Sequence, residues 1–205
     1  MSVRVKICGV TTPEDACAAV ARGADYLGLN FHPASPRCVS LEQARTISNE
    51  VETASLVGVF VDAPEQWVTD VAEQVGLDLV QLHGSESPAY CGRRDQPVIK
   101  AIRARKREQV ELEAERYAQQ VAYLLVDAWV PGQAGGTGQR IDPAVVAGLD
   151  AARVFVAGGL TPENVAEVVR TLRPFAVDVA SGVERHPGLK DHDAVERFVH
   201  HAKSA

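Results

Sequence analysis

The sequence predicts a single-domain (β/α)8 barrel with eight parallel strands. Short apolar runs alternate with helical patterns from end to end, which implies parallel strands joined by right-handed crossovers. The eight units share 205 residues, and about 26 residues per unit is near the lower limit for such a barrel. No linker or low-complexity segment interrupts the pattern, so we expect one domain over residues 1–205. A doubly wound open sheet is the alternative, because short apolar runs do not reveal closure.

The strands are predicted from apolar runs of five to seven residues. In chain order they are VRVKI (3–7), DYLGL (25–29), SLVGVFV (55–61), DLVQL (78–82), PVIKAI (97–102), AYLLV (122–126), RVFVA (153–157) and FAVDV (175–179). Helical patterns follow each of them, at 13–22, 41–49, 64–75, 86–93, 107–120, 142–148, 162–172 and 191–203.

Local signals support several of the helices. Thr12 and Thr161 each precede a proline, which is the expected order of an N-cap and a first helical position. The charged stretch 103–116 has Glu and Arg/Lys at i,i+4 spacing, which is typical of a solvated helix face. We expect Cys17 to lie on the apolar face of the first helix.

Composition excludes several classes of protein. The net charge is −6, with no basic stripe, which argues against nucleic-acid binding but not against a small anionic substrate. No apolar run approaches the ~18 residues of a membrane span, and the N-terminus lacks a signal-peptide pattern. The four cysteines match no zinc spacing. We therefore expect a cytoplasmic protein with reduced cysteines, no membrane association and no metal.

Candidate functional residues lie where the strands end, because active sites of such barrels form at the carboxyl ends of the strands. Polar side chains cluster there while the strand bodies stay apolar. This position favours roles in binding substrate for His83, Arg103 and Asp178. His83 could orient a loop or a carboxylate; with His32 it forms no recognisable metal motif.

Two glycine-rich strand ends predict a phosphate site. Gly158 and Gly159 end the seventh strand, and Ser181 and Gly182 follow the eighth. Backbone N–H groups at such positions bind anions, and this pair of loops often holds phosphate in barrels. The alternative is that these glycines only form tight turns. A further glycine run, 132–138, is either a lid that contacts ligand or a flexible loop.

Cys8 and Asp127 end the first and sixth strands and should face each other across the barrel mouth. A thiol and a carboxyl on opposite sides of a substrate could act as base and acid. Lys6 lies two residues before the thiol and could assist it, or could pair with a buried carboxylate such as Asp178. A buried, inert Cys8 is the alternative. Arg37, in a loop stiffened by Pro33 and Pro36, is either a carboxylate-binding group or a surface arginine.

Taken together, the strand ends resemble the phosphoribosylanthranilate isomerase family. The matching stretches cover nearly the whole chain in order, and we expect no fused second domain. They are VKICGVT, GLNFHPASPRCVS, VGVFVD, VQLHGSES, IKAIR, LLVDAWVPGQAGGTG, VAGGLTPENV and DVASGVE…PGLKD. The resemblance implies a barrel that catalyses an Amadori rearrangement of N-(5-phosphoribosyl)anthranilate in tryptophan biosynthesis, without a cofactor. It also leaves room for weak association with other enzymes of that pathway.

By motif, the resemblance implies roles for individual residues. Cys8 would be the general base, Asp127 the general acid and Arg37 the group that binds the anthranilate carboxylate. The glycine-rich ends of strands seven and eight would hold the phosphate. The departures from the family pattern concern loops that close over substrate: His32, Ala34, Cys38 and Ile141-Asp142-Pro143.

Two other functions compete with this interpretation. One is an isomerase for a different phosphorylated aminoaldose. Such enzymes usually use paired aspartates, so the cysteine at position 8 argues against this function. The other is a non-catalytic phosphate-binding paralogue, which the presence of both Cys8 and Asp127 opposes.

Overall fold

The strands form a closed parallel barrel in which each strand pairs with the next and β8 pairs with β1. The computed structural model describes residues 2–103, 106–127, 143–146 and 148–205. Closure confirms the predicted (β/α)8 barrel and excludes the open sheet. The barrel strands are β1 (Arg4–Cys8), β2 (Tyr26–Asn30), β3 (Ser55–Phe60), β4 (Leu79–Leu82), β5 (Val98–Arg103), β6 (Tyr123–Asp127), β7 (Val154–Ala157) and β8 (Ala176–Val179).

A helix follows each barrel strand. The helices are α1 (Pro13–Ala21), α2 (Leu41–Asn49), α3 (Glu65–Val75), α4 (Pro88–Cys91), α5 (Arg107–Tyr117), α6 (Pro143–Val146), α7 (Val165–Leu172) and α8 (His192–Lys203). Thr12 caps α1 as predicted, accepting a hydrogen bond from the Asp15 N–H at 3.2 Å.

The start of α7 differs from the prediction. The helix begins at Val165 and not at residue 162. Asn164 explains the delay, because its side-chain oxygen accepts from the Thr161 N–H at 2.9 Å and its amide donates to the Gly159 carbonyl at 2.9 Å. These bonds hold the loop after β7 in a turn before the helix can begin.

A hairpin after β8 was not expected from the sequence. It consists of β9 (Glu184–His186) and β10 (Leu189–Lys190), which pair antiparallel. A short 3-10 helix, Ser181–Val183, connects β8 to it. Gly188 has a φ of +86°, so Pro187-Gly188 suits a tight turn in which the second position has positive φ.

The lower part of the barrel interior is filled by aromatic side chains. The Tyr123 and Phe175 rings stack with centroids 4.8 Å apart, and Tyr26 meets Phe155 edge-on at 5.5 Å. This packing closes the amino-terminal end of the barrel and leaves the carboxyl end for polar groups.

The prediction that Cys17 lies in the core was wrong, because its side chain is exposed on α1. No helix among the described residues is long and apolar enough to span a membrane.

Candidate active site

The Cys8 thiol lies half-buried at the end of β1, beside the ammonium of Lys6. A Cβ atom on Gly28 of the neighbouring strand would lie 2.8 Å from Cys8 Sγ and 3.1 Å from Lys6 Nζ. The thiol and the ammonium therefore occupy the space that a side chain at position 28 would need. Lys6 is fully buried and bonds Asp178 Oδ1 at 2.9 Å. Lys6 thus pairs with Asp178, as one of the two alternatives predicted, and also lies beside the thiol, as the other requires.

The pKa of the Cys8 thiol is raised overall, because the effect of burial exceeds that of the two nearby lysines. Burial raises the pKa of Cys8, while Lys6 lowers it, Asp178 raises it and Lys190 lowers it. Burial also works against the charge on Lys6, but Asp178 and Cys8 outweigh it and raise the lysine's pKa. Lys6 therefore remains an ammonium beside the thiol.

Asp127 ends β6 and lies opposite a neutral histidine. Burial raises the pKa of Asp127, Asp178 raises it further, and Arg103 opposes them. His83 Nε2 lies 3.9 Å from Asp127 Oδ2. Burial lowers the pKa of His83 to about 4. The imidazole is therefore neutral near pH 7, and the carboxyl has an environment that favours its protonated form.

Gln81 sets the orientation of the His83 ring. Its side-chain nitrogen lies 3.0 Å from His83 Nδ1, on a side chain that is 1% exposed. Because an amide nitrogen donates, Nδ1 accepts and the ring proton is on Nε2. That N–H faces Asp127. His83 was predicted to orient a loop or a carboxylate, whereas Gln81, two residues earlier in VQLHG, was not given a role.

A buried ion pair fixes the loop that contains His83. Lys100 Nζ donates to Glu86 Oε2 at 2.9 Å and to the carbonyls of Leu82 and Gly84, at 3.1 and 2.7 Å. These two carbonyls lie on either side of His83. Glu86, which the sequence argument did not single out, thereby supports the position of the histidine.

Arg37 is held by a carboxylate that the sequence argument missed. Its Nε and Nη2 donate to Glu184 Oε1 and Oε2 at 2.8 and 2.6 Å. The arginine stem lies on Gly9, where a Cβ would collide with it and where φ is +74°. The Glu184 hydrogen bonds, helped by its charge, raise the pKa of Arg37. Arg37 is therefore a fixed group at the end of β1, not a freely moving surface arginine.

The loops after β7 and β8 meet through their backbones. A Cβ on Gly182 would collide with the Leu160 carbonyl. Gly158 and Gly159 have φ of +95° and +63°, which favour glycine. Among the described residues, the backbone N–H groups of Gly158, Gly159, Ser181 and Gly182 find no acceptor. These four amides are available to an anion.

Some predicted features have no structural outcome. The glycine run 132–138, Ile141 and Asp142 lie outside the described residues, as does the side chain of Pro143. Ala34 and Cys38 are exposed and His32 is half-buried in the loop after β2. Within the described ranges, no three His, Cys, Asp or Glu side chains are grouped so that they could hold a metal ion.

Comparison with known proteins identifies the family. A family model described as N-(5'-phosphoribosyl)anthranilate (PRA) isomerase matches residues 5–201. The N-(5'-phosphoribosyl)anthranilate isomerase of Thiobacillus denitrificans is 47% identical over 206 residues, covering 100% of both chains. That of Myxococcus xanthus is 48% identical, covering 100% of this chain and 98% of the relative.

Solved structures agree with the sequence relatives. The crystal structure of phosphoribosyl anthranilate isomerase from Thermotoga maritima superposes with a TM-score of 0.91 at 40% identity, covering 99% of this chain and 100% of that one. A complex of such an enzyme with reduced 1-(o-carboxyphenylamino)-1-deoxyribulose 5-phosphate gives 0.86 at 38%, with the same coverage. The resemblance inferred from the strand ends is confirmed. The chain belongs to the N-(5'-phosphoribosyl)anthranilate isomerase family of tryptophan biosynthesis.

Proposed function

We propose that this chain isomerises N-(5'-phosphoribosyl)anthranilate to 1-(2-carboxyphenylamino)-1-deoxyribulose 5-phosphate, with Cys8 as general base and Asp127 as general acid. One observation carries the assignment: a thiol beside a lysine and a carboxyl with a raised pKa end two strands of the same barrel mouth. The complex of the related enzyme with reduced 1-(o-carboxyphenylamino)-1-deoxyribulose 5-phosphate supports a small-molecule substrate of this kind.

Asp127 acts first, by protonating the ribose ring oxygen as the C1–O bond breaks and a Schiff base forms. An acid must hold a proton before it can give one, so the raised pKa of Asp127 supports this role. The Nε2–H of neutral His83 faces the carboxyl and would steady the carboxylate that remains after the transfer.

Cys8 then removes the proton from C2 of the Schiff base. The iminium makes this proton more acidic, so a thiolate is a sufficient base. The product is an enolamine, which tautomerises to the ketone. Lys6 and Lys190 favour the thiolate against the cost of its burial.

Arg37 binds the anthranilate carboxylate through the edge of its guanidinium that Glu184 leaves open. Glu184 takes Nε and one N–H of Nη2, so the N–H groups of Nη1 and the second N–H of Nη2 point away from it. Two parallel hydrogen bonds from this edge suit a carboxylate. Arg103 and Asp178, at the ends of β5 and β8, contact the remainder of the substrate.

The phosphate binds to the backbone amides of Gly158, Gly159, Ser181 and Gly182. Their lack of acceptors among the described residues supports this proposal, since an anion would satisfy all four. We further propose a single domain over residues 1–205, acting in the cytoplasm without a cofactor. The four cysteines are free, as is usual in a reducing compartment.

The test of function is turnover of freshly generated phosphoribosylanthranilate, followed by loss of anthranilate fluorescence. The proposal predicts turnover of this substrate and none of the aminoaldose phosphate of histidine biosynthesis. Turnover of the second compound alone would favour the alternative isomerase. Saturable binding of the first compound without turnover would identify a non-catalytic paralogue.

A further inference from the structure

The β9–β10 hairpin is fastened to the loop that follows the Cys8 strand and to the helix α1 after that loop. Thr11 Oγ1 donates to the Gly188 carbonyl at 2.5 Å, and the Lys190 N–H donates to Asp15 Oδ2 at 3.0 Å. The fold places the hairpin after β8, and closure of the barrel brings it beside β1. The hairpin therefore has a fixed position relative to the thiol.

The side chain of Lys190 reaches from this hairpin to the end of β1. The residue is 2% exposed, and its Nζ donates to the Cys8 carbonyl at 2.6 Å and to Glu184 Oε1 at 2.8 Å. A third, longer bond of 3.5 Å goes to the Ala180 carbonyl. A buried ammonium is costly without such partners. Lys190 thus ties the main chain of Cys8 to the hairpin.

The charges that face the thiol leave one positive charge in excess. Lys6, from β1, is paired with Asp178, from β8, and this pair is neutral overall. On the other side, Lys190 and Arg37 share a single carboxylate, that of Glu184. Glu184 already has a paired cation in Arg37, so removal of Lys190 would make this second group neutral.

We propose that Lys190 is a positioning residue for the isomerase reaction: it fixes the end of β1 and is the surplus cation that stabilises the Cys8 thiolate. The inference rests on the role of Cys8 as base proposed above. It also gives Glu184 a second role, because this carboxylate limits the positive charge near the thiol while it orients Arg37. The two glutamate contacts link the binding of the substrate carboxylate to the base.

The test is the alkylation rate of Cys8 by iodoacetamide as a function of pH, in the full chain. Mass spectrometry of the peptides separates Cys8 from the exposed Cys17 and Cys38. Below the pKa of the thiol, the rate follows the thiolate fraction. We expect Lys190→Met and Lys190→Gln to react about three- to tenfold more slowly than wild type, as loss of one nearby charge requires.

Glu184→Gln provides the opposite test, since it keeps the shape of the side chain and removes the negative charge. We expect this variant to react faster than wild type at Cys8 at neutral pH, with its fold intact by circular dichroism. Simple disruption of the hairpin would not give a faster reaction. This variant decides the matter if the Lys190 variants do not fold. Rates equal to wild type in the folded variants would overturn the proposal.

Thr11→Val is the matched control, because it removes a hydrogen bond to the same hairpin without changing any charge. We expect its alkylation rate to remain within twofold of wild type. A fall as large as that in Lys190→Met would mean that the hairpin acts through geometry alone. Normal turnover by a Cys8→Ser variant would instead refute Cys8 as base, and the alkylation result would stand independently of it.

Discussion

Replacing Gly28 by alanine should displace the thiol without adding any polar group. The new Cβ would lie 2.8 Å from Cys8 Sγ and 3.1 Å from the Cys8 Cα. An ordinary contact requires about 3.5 Å, so the sulfur must move by roughly 0.7 Å. A displacement of ~1 Å at a reacting group costs about 10²-fold in rate. We therefore expect kcat to fall about 10- to 100-fold, measured by anthranilate fluorescence under substrate saturation.

Gly58→Ala is the control for the effect of overpacking itself. Gly58 is buried on the adjacent strand β3, where a Cβ would collide with Leu77 and approach the Phe60 ring to 2.8 Å. Overpacking of this kind costs about 1–3 kcal/mol of stability. We expect a lower Tm in this variant with kcat within twofold of wild type. Full activity in folded Gly28→Ala, or equal losses in both variants, would show that the position of the thiol does not determine kcat.

Three further predictions concern other parts of the site. Arg37→Ala should mainly raise KM, at least tenfold, because hydrogen bonds to a charged partner contribute about 1.5–3 kcal/mol; an unchanged KM in initial-rate kinetics would mean that another group holds the carboxylate. The pKa of His83 is about 4 in the folded chain against 6.5 when unfolded, so its contribution to the free energy of unfolding is present above pH 6.5 and is lost as the pH falls to 4. In urea unfolding, the free energy of unfolding of His83→Gln should therefore fall less than that of wild type over this interval. An identical fall would contradict the assignment. Lys100→Met should lower the free energy of unfolding by about 3–5 kcal/mol, because Glu86 is left buried and unpaired; in the double variant with Glu86→Gln most of the loss should disappear, and an equal loss in both would argue against the ion pair.

The barrel could be predicted because its signals are local. Each signal extends over only a few consecutive positions. Examples are the strand-like runs, Thr12 before Pro13 and the polar residues at the strand ends. The predicted strands begin one residue early in most cases, as for 25–29 against Tyr26–Asn30. Cys17 was misassigned because its place on a helix does not say what covers it.

The parts of the site that escaped prediction depend on contacts between distant positions. Arg37 and Glu184 are separated by 147 positions, and Cys8 and Lys190 by 182. Neither separation leaves a trace in periodicity or charge pattern. The hairpin that brings them together had one local signal, Pro187-Gly188, which is typical of a tight turn. Closure of β8 on β1 supplies the rest of the arrangement.

The role of Cys8 in moving the C2 proton is tested by two measurements on Cys8→Ser. They are its kcat and its affinity for reduced 1-(o-carboxyphenylamino)-1-deoxyribulose 5-phosphate. A serine hydroxyl is nearly isosteric but far too weakly acidic to be present as a base. We predict a fall in kcat of about 10²–10⁴-fold with affinity for the analogue within threefold of wild type. Turnover near that of wild type would show that Cys8 is not the base, and a parallel loss of affinity would show that the substitution acts through binding.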